Sequence, residues 1–115
     1  MSELPFDGLK VVDLSQGVAG PHCGMLMAQH GADVVKIEPI TGDWGRAIGR
    51  QYGDFCAYNV AFNRGKRSIA LDLKTPGGLD AARRLLRRAD VVIENYRPGV
   101  LARFELDYPS VRRDN

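Results

Sequence analysis

The chain has 115 residues, 44% of them hydrophobic and 26% charged, with a formal net charge of +2. These proportions exclude wholesale disorder, because there is enough apolar side chain to offset the entropy of ordering. No apolar run approaches the ~20 residues of a membrane-spanning helix, so no membrane partner is expected. The opening residues, Met1 to Asp7, lack the basic start and apolar stretch of a secretory signal, and a cytoplasmic location is the expectation. Cys23 and Cys56 form no paired spacing, as expected of reduced thiols rather than a disulfide framework.

The charge is unevenly placed. Residues 1–60 hold four Lys or Arg against seven Asp or Glu, a balance of −3, whereas residues 61–115 hold twelve against seven, a balance of +5. A basic second half suits an anionic ligand or a solvated face. The whole is far from the strong basicity of most nucleic-acid binders, so no nucleic-acid partner is expected.

Four short stretches rich in Val, Ile and Leu read as strands: Lys10–Leu14, Asp33–Glu38, Ser68–Leu73 and Asp90–Asn95. Their nearly continuous apolar cores suit strands covered on both faces. Between the first two, Pro21–His30 reads as a short helix with Pro21 at its first position and Gly31 as the C-terminal cap. Pro39–Arg67 reads as a long, glycine-rich loop without periodicity that carries Trp44; loops of this length tend to be functional or to pack on something else.

Between the third and fourth strands, Pro76–Ala89 reads as a helix. Leu79, Ala82, Leu85, Leu86 and Ala89 mark one face, and Arg83, Arg84, Arg87 and Arg88 fall largely on the other, which we read as solvated. After Arg97-Pro98-Gly99 a short helix is expected through Phe104. The chain then runs to Asn115 with no closing element and reads as cut rather than finished. The order is two βαβ units, which predicts an α/β fold with a Rossmann-like parallel sheet.

In such a sheet, ligands sit beyond the carboxyl ends of the strands. Three segments converge there: Ser15–Pro21 leading into a helix N-terminus, Leu71–Thr75, and Asn95–Gly99. The first offers backbone N–H groups to an anion, Lys74, Arg97 and Arg103 offer charge, and Tyr96 offers a face for an adenine. A nucleotide-like phosphate ligand fits this set. Glu38, 21 residues after Gly17, stands where a dinucleotide-binding protein keeps its ribose-binding acid. Gly17, Gly20 and Gly24, however, follow a GxxGxxxG spacing rather than GxGxxG. An NAD(P)-binding oxidoreductase fragment therefore stays as an alternative, as does a non-catalytic interaction module.

Several residues have plainer explanations. Asp13 and Glu38 suit capping or pairing with a nearby base. His22 reads as a helix-start or surface residue, His30 as surface near a helix C-terminus, and Cys23 as a small buried hydrophobe. No His, Cys or carboxylate cluster has metal-ligand spacing, so no metal is expected.

Four blocks in order carry a resemblance: Leu9–Pro39, GDWGR at Gly42–Arg46, NRGKRSIALDLKTPGG at Asn63–Gly78, and ADVVIENYRPGVLARF at Ala89–Phe104. Together they resemble the N-terminal part of a family III CoA-transferase, the group that includes formyl-CoA and carnitine CoA-transferases and α-methylacyl-CoA racemase. The resemblance implies that residues 1–115 are the N-terminal part of the large CoA-binding domain of a bigger fold, and that the full-length protein is an interlocked homodimer. It implies coenzyme A or acyl-CoA as substrate, a small carboxylic acid as acceptor, and no tightly bound cofactor. CoA contacts carry over onto Val18 and Ala19, Leu71, Asp72, Leu73 and Lys74, Asn95, Tyr96 and Arg97, and Arg103. The nucleophilic aspartate would lie beyond Asn115, so no catalytic residue is expected in this segment. Arg64–Arg67 suits fixing the long loop or a subunit contact as well as CoA. At Phe104-Glu105-Leu106 the family usually has Leu-Gly-Leu, so that turn is expected to differ. Transferase and racemase share these motifs; the 24 residues between Glu38 and Asn63 resemble the transferases more, and an α-methylacyl-CoA racemase of the same family stays as the alternative.

Overall fold

The computed structural model describes residues 3–115. Four strands form one parallel sheet: β1 (Lys10–Asp13), β2 (Asp33–Glu38), β5 (Arg67–Ala70) and β6 (Val91–Ile93), in the order β5-β2-β1-β6. The fold class is the predicted one. Two further strands, β3 (Gln51–Tyr52) and β4 (Phe55–Cys56), make a separate antiparallel hairpin.

Residue alternation along β1 distributes the core. Val12 and Leu14 face one side, with Ile37 from β2, and pack against Ala82 and Leu86 of α3 (Pro76–Leu86) and Leu101 of α4 (Val100–Arg103). Val11 and Val34 face the other, beneath Met27 and Ala28 of α1 (Ala19–Gln29). Successive side chains of a strand point to opposite faces, so a Val-Val pair supplies both layers. Each fully buried Val or Leu contributes roughly 1.5–3 kcal/mol. The chain steps one way from β1 to β2 and back across the sheet from β5 to β6. Opposite directions of travel place α1 and α3 on opposite faces, as right-handed crossovers require.

The structure moves several expected boundaries. α1 starts at Ala19, so Pro21 is its third residue; the first four helical N–H groups lack internal partners, and proline is tolerated there too. Gly31 follows the helix at φ +107°, as its cap role predicts. β5 ends at Ala70 rather than Leu73 because Asp72 turns the chain, accepting Lys74 N on Oδ1 at 2.9 Å and Thr75 N on its carbonyl at 3.1 Å. Thr75 then caps α3 through Gly78 N at 3.1 Å, with Pro76 as the first helical residue. α3 ends at Leu86 rather than Ala89, where the bonds tighten: Arg88 N reaches Leu85 O and Ala89 N reaches Leu86 O.

The Pro39–Arg67 segment is not one structureless loop. It holds a 3₁₀ helix (Trp44–Ala47), the β3-β4 hairpin and α2 (Ala57–Phe62). These pieces are too short to show a period, and Trp44, Tyr52, Phe55, Tyr58 and Val60 stay exposed, so no apolar face announces them. The chain also carries a last helix, α5 (Tyr108–Asp114), where no closing element was expected. Asn115 donates to Leu86 O at 3.0 Å and Ala89 O at 2.7 Å, tying this end to α3. None of the described helices is long and apolar enough to cross a membrane.

Candidate functional site

The strand order reverses between β1 and β6: the chain departs from β1 toward β2 and returns to β6 on its other side. Such a switch point opens a crevice at the carboxyl ends of the two strands. Here the two loops are clasped. Gln16 N donates to Asn95 Oδ1 at 3.0 Å, and Asn95 Nδ2 donates back to Gln16 O at 2.8 Å. Gln16 Nε2 also reaches the Tyr96 hydroxyl at 3.4 Å. Val18 and Ala19 follow directly, at the start of α1, where Val18 offers no side-chain cap and the first helical N–H groups stay available.

The three glycines of the first loop answer to packing. Gly17 holds φ +87°, and a β-carbon there would sit 2.1 Å from Cζ2 of Trp44. A β-carbon at Gly20 would stand 2.3 Å from Ser15 Cβ, and one at Gly24 2.8 Å from Asp13 Oδ2. Gly20 and Gly24 let α1 close onto the end of β1 and Gly17 admits the Trp44 ring, where the glycines of a dinucleotide fingerprint would instead admit a pyrophosphate.

Beneath this loop lies a buried set of charges. Asp13 Oδ2 pairs with Lys66 Nζ at 2.7 Å, while Asp13 Oδ1 accepts Ser15 N at 2.9 Å and the Ser15 hydroxyl. Lys66 also donates to Pro21 O and to Asn63 Oδ1. Burial pushes the Lys66 ammonium below the usual lysine range, against the opposing pull of Asp13. Lys36 Nζ stands 2.8 Å from Asp43 Oδ2 and donates to Ser15 O at 2.9 Å. Asp43 Oδ1 in turn accepts Gly17 N and Gly45 N, each at 2.8 Å. Thus Lys66, in the basic cluster 64–67, fixes the long segment to the sheet.

Glu38 closes the other side. Arg46 donates to both its oxygens, at 2.7 and 2.8 Å; Ser68 Oγ and Asp43 N donate as well. The guanidinium, ahead of the opposing effect of burial, draws the carboxyl from 4.5 down to about 2. Both oxygens are engaged, which leaves Glu38 no free acceptor for a ribose hydroxyl. Asp13 and Glu38 are therefore paired with bases, as their plainer explanation held.

The remaining predicted residues sit at the same edge but not together. Leu71–Lys74 follow β5, three strand spacings from β6, or ~14 Å. Leu71 and Leu73 pack against the larger core cluster, as does Tyr96, while Asp72 serves the turn. Lys74, Arg97 and Arg103 are exposed, and none of the ion pairs among the described residues uses them. A hollow of about 660 Å³ beyond β2 and β5 is lined by Pro39, Asp43, Trp44, Arg46 and Ala70. A second, of about 740 Å³, runs along β6 beneath α4 and α5 and includes Tyr96 and Arg97.

The chain as a whole has known relatives. The sequence model of CoA-transferase family III matches residues 6–115. The chain belongs to this family. It is 47% identical to a succinate–glutarate CoA-transferase of Agrobacterium fabrum, over 94% of this chain and 29% of that protein. It is 37% identical to a formyl-CoA:oxalate CoA-transferase of Escherichia coli, over 96% of this chain and 27% of that protein. A solved CAIB/BAIF family protein from Brucella suis superposes with a TM-score of 0.92 at 44% identity, covering 99% of this chain and 32% of its own. The chain thus spans under a third of the length of these CoA-transferase family III relatives.

Three details depart from the sequence expectations. The turn at residues 104–106 is left-handed, with Glu105 at φ +53°, a conformation that glycine adopts without strain. Cys23 is exposed rather than buried, whereas Cys56 is buried and donates its thiol to Gly45 O. Gln16, Lys36, Asp43 and Trp44 were missed as organisers of the site. The available signal was Lys36: a charged residue inside an apolar strand covered on both faces demands a buried partner.

Proposed function

We propose that the protein to which this chain belongs is an acyl-CoA:carboxylate CoA-transferase, with this chain forming part of its CoA cradle. The observation that carries this is the edge itself. Val18 and Ala19 at a helix start, Leu71–Lys74, Asn95, Tyr96, Arg97 and Arg103 supply N–H groups, apolar surface and unpaired cations, the donor set a phosphorylated adenosine carrier calls for. The names of the relatives, succinate–glutarate and formyl-CoA:oxalate CoA-transferase, support a CoA thioester donor and a small carboxylate acceptor.

In the proposed chemistry an aspartate outside this chain attacks the thioester carbonyl and expels CoA thiolate, leaving a mixed anhydride. The thiolate then attacks the aspartyl carbonyl, releasing the first acid and forming an enzyme thioester. The acceptor carboxylate attacks that thioester and expels CoA thiolate, forming a second mixed anhydride; the thiolate then attacks the acceptor's carbonyl and releases the aspartate. Asp13 and Asp43 do not serve: each is buried against a lysine.

The test is CoA exchange by the full-length protein, followed chromatographically with succinyl-CoA and a panel of carboxylates. Arg97→Ala and Arg103→Ala should each weaken CoA binding about tenfold, the worth of one charge-assisted phosphate contact. Unchanged affinity at both would remove them from the site, and no transfer with any acyl-CoA would overturn the assignment.

A further inference from the structure

Asp43 lies in none of the three strand-end segments, yet it governs the shape of one. It is buried at 2% exposure in the first turn before the 3₁₀ helix. One oxygen holds Gly17 N and Gly45 N together, and the other meets Lys36, which itself holds Ser15 O. Residues 15 and 17 are thereby tied from both sides to one buried ion pair, and Val18 and Ala19 come next along the chain. Gly17 sits at φ +87° with the Trp44 ring against its α-carbon. Glu38, through its bond to Asp43 N, and Arg46, through Glu38, brace the same aspartate from behind.

We propose that Asp43 is a positioning residue for coenzyme A: by holding the Gly17 amide it presets the Gly17–Ala19 loop in its binding conformation before the ligand arrives. The inference rests on the assignment of that loop to CoA. A preset loop loses less conformational freedom on binding, and so contributes affinity without touching the ligand.

The experiment separates the amide clamp from the buried charge. Two double variants of the full-length protein, Asp43→Asn with Lys36→Met and Asp43→Ala with Lys36→Met, both remove the ion pair; only the first keeps an oxygen for Gly17 N. Free CoA binding is measured by calorimetry, and initial rates are measured against the acyl-CoA donor. The alanine pair should bind CoA about tenfold more weakly than the asparagine pair, a loss of the order expected when the bonds from Gly17 N and Gly45 N are both removed. The deficit should fall on KM for the donor and not on kcat, a split that general destabilisation would not produce. Equal affinity in the two pairs overturns the proposal. If the wild-type protein binds no CoA, both this inference and the CoA assignment fall. Should either variant not fold, amide exchange in the wild type decides: the Gly17 N–H must be protected without CoA, and exchange at the rate of a free loop overturns the clamp.

Discussion

Trp44 closes over Gly17: a β-carbon at residue 17 would sit 2.1 Å from Cζ2 of the indole and 2.5 Å from Cη2. Two separate segments, the loop after β1 and the 3₁₀ helix of residues 44–47, therefore meet with no room for a methyl group. Gly17→Ala should destabilise through two effects, the left-handed backbone, at roughly 1–3 kcal/mol, and the clash with the ring. In a Trp44→Ala background only the first remains. A double-mutant cycle by chemical denaturation should show a coupling of about 1 kcal/mol; additive effects would mean that the exposed indole swings aside freely.

Gly20 inverts an ordinary rule. Replacing a helical glycine by alanine commonly stabilises by up to about 1 kcal/mol. At Gly20 the new carbon would stand 2.3 Å from Ser15 Cβ and 2.4 Å from Ser15 Oγ, atoms rooted close to the backbone. Gly20→Ala should therefore destabilise by about 1–3 kcal/mol as α1 is pushed from the sheet. A rise in melting temperature would contradict the close approach.

The Glu38 carboxyl predicts an acid limb. Its folded value, about 2, lies below the ordinary 4.5, so the unfolded chain binds more protons between these values and stability rises with pH there. The contribution is fully present above pH 4.5 and is lost as pH falls toward 2. At ~1.4 kcal/mol per pH unit it amounts to ~3 kcal/mol for this nearly buried group. Glu38→Gln should lower stability at pH 7 and flatten the curve between pH 4.5 and 2. An unchanged slope in pH-dependent denaturation would remove Glu38 from the acid response.

Glu105 occupies a left-handed conformation at φ +53°. That geometry costs a residue with a side chain roughly 1–2 kcal/mol. In its ion pair with Arg83, 3.1 Å apart, the Glu105 side chain is two-thirds exposed, so the pair is worth little. Arg83 keeps its bond to Phe104 O without it. Glu105→Gly should stabilise by about 0.5–1 kcal/mol, read as a higher denaturation midpoint at unchanged slope.

The α/β class, the four sheet strands, α1 and α3 could be read from local pattern, because Val-Val and Leu-x-x-Ala spacings fix which faces are apolar whatever the neighbours do. The same pattern placed Val18–Ala19, Leu71–Lys74 and Asn95–Arg97 at one edge, since parallel strands share their carboxyl ends. Tertiary structure decided what links them. The Asn95–Gln16 clasp joins residues 79 positions apart, and Asp43 meets Gly17 across 26. Such contacts leave no periodicity, because a hydrogen bond or buried ion pair depends on where two loops meet in space and not on the spacing within either. For the same reason the glycines at 17, 20 and 24 looked like a broken phosphate motif until Trp44, Ser15 and Asp13 were seen to fill the space their absent side chains leave.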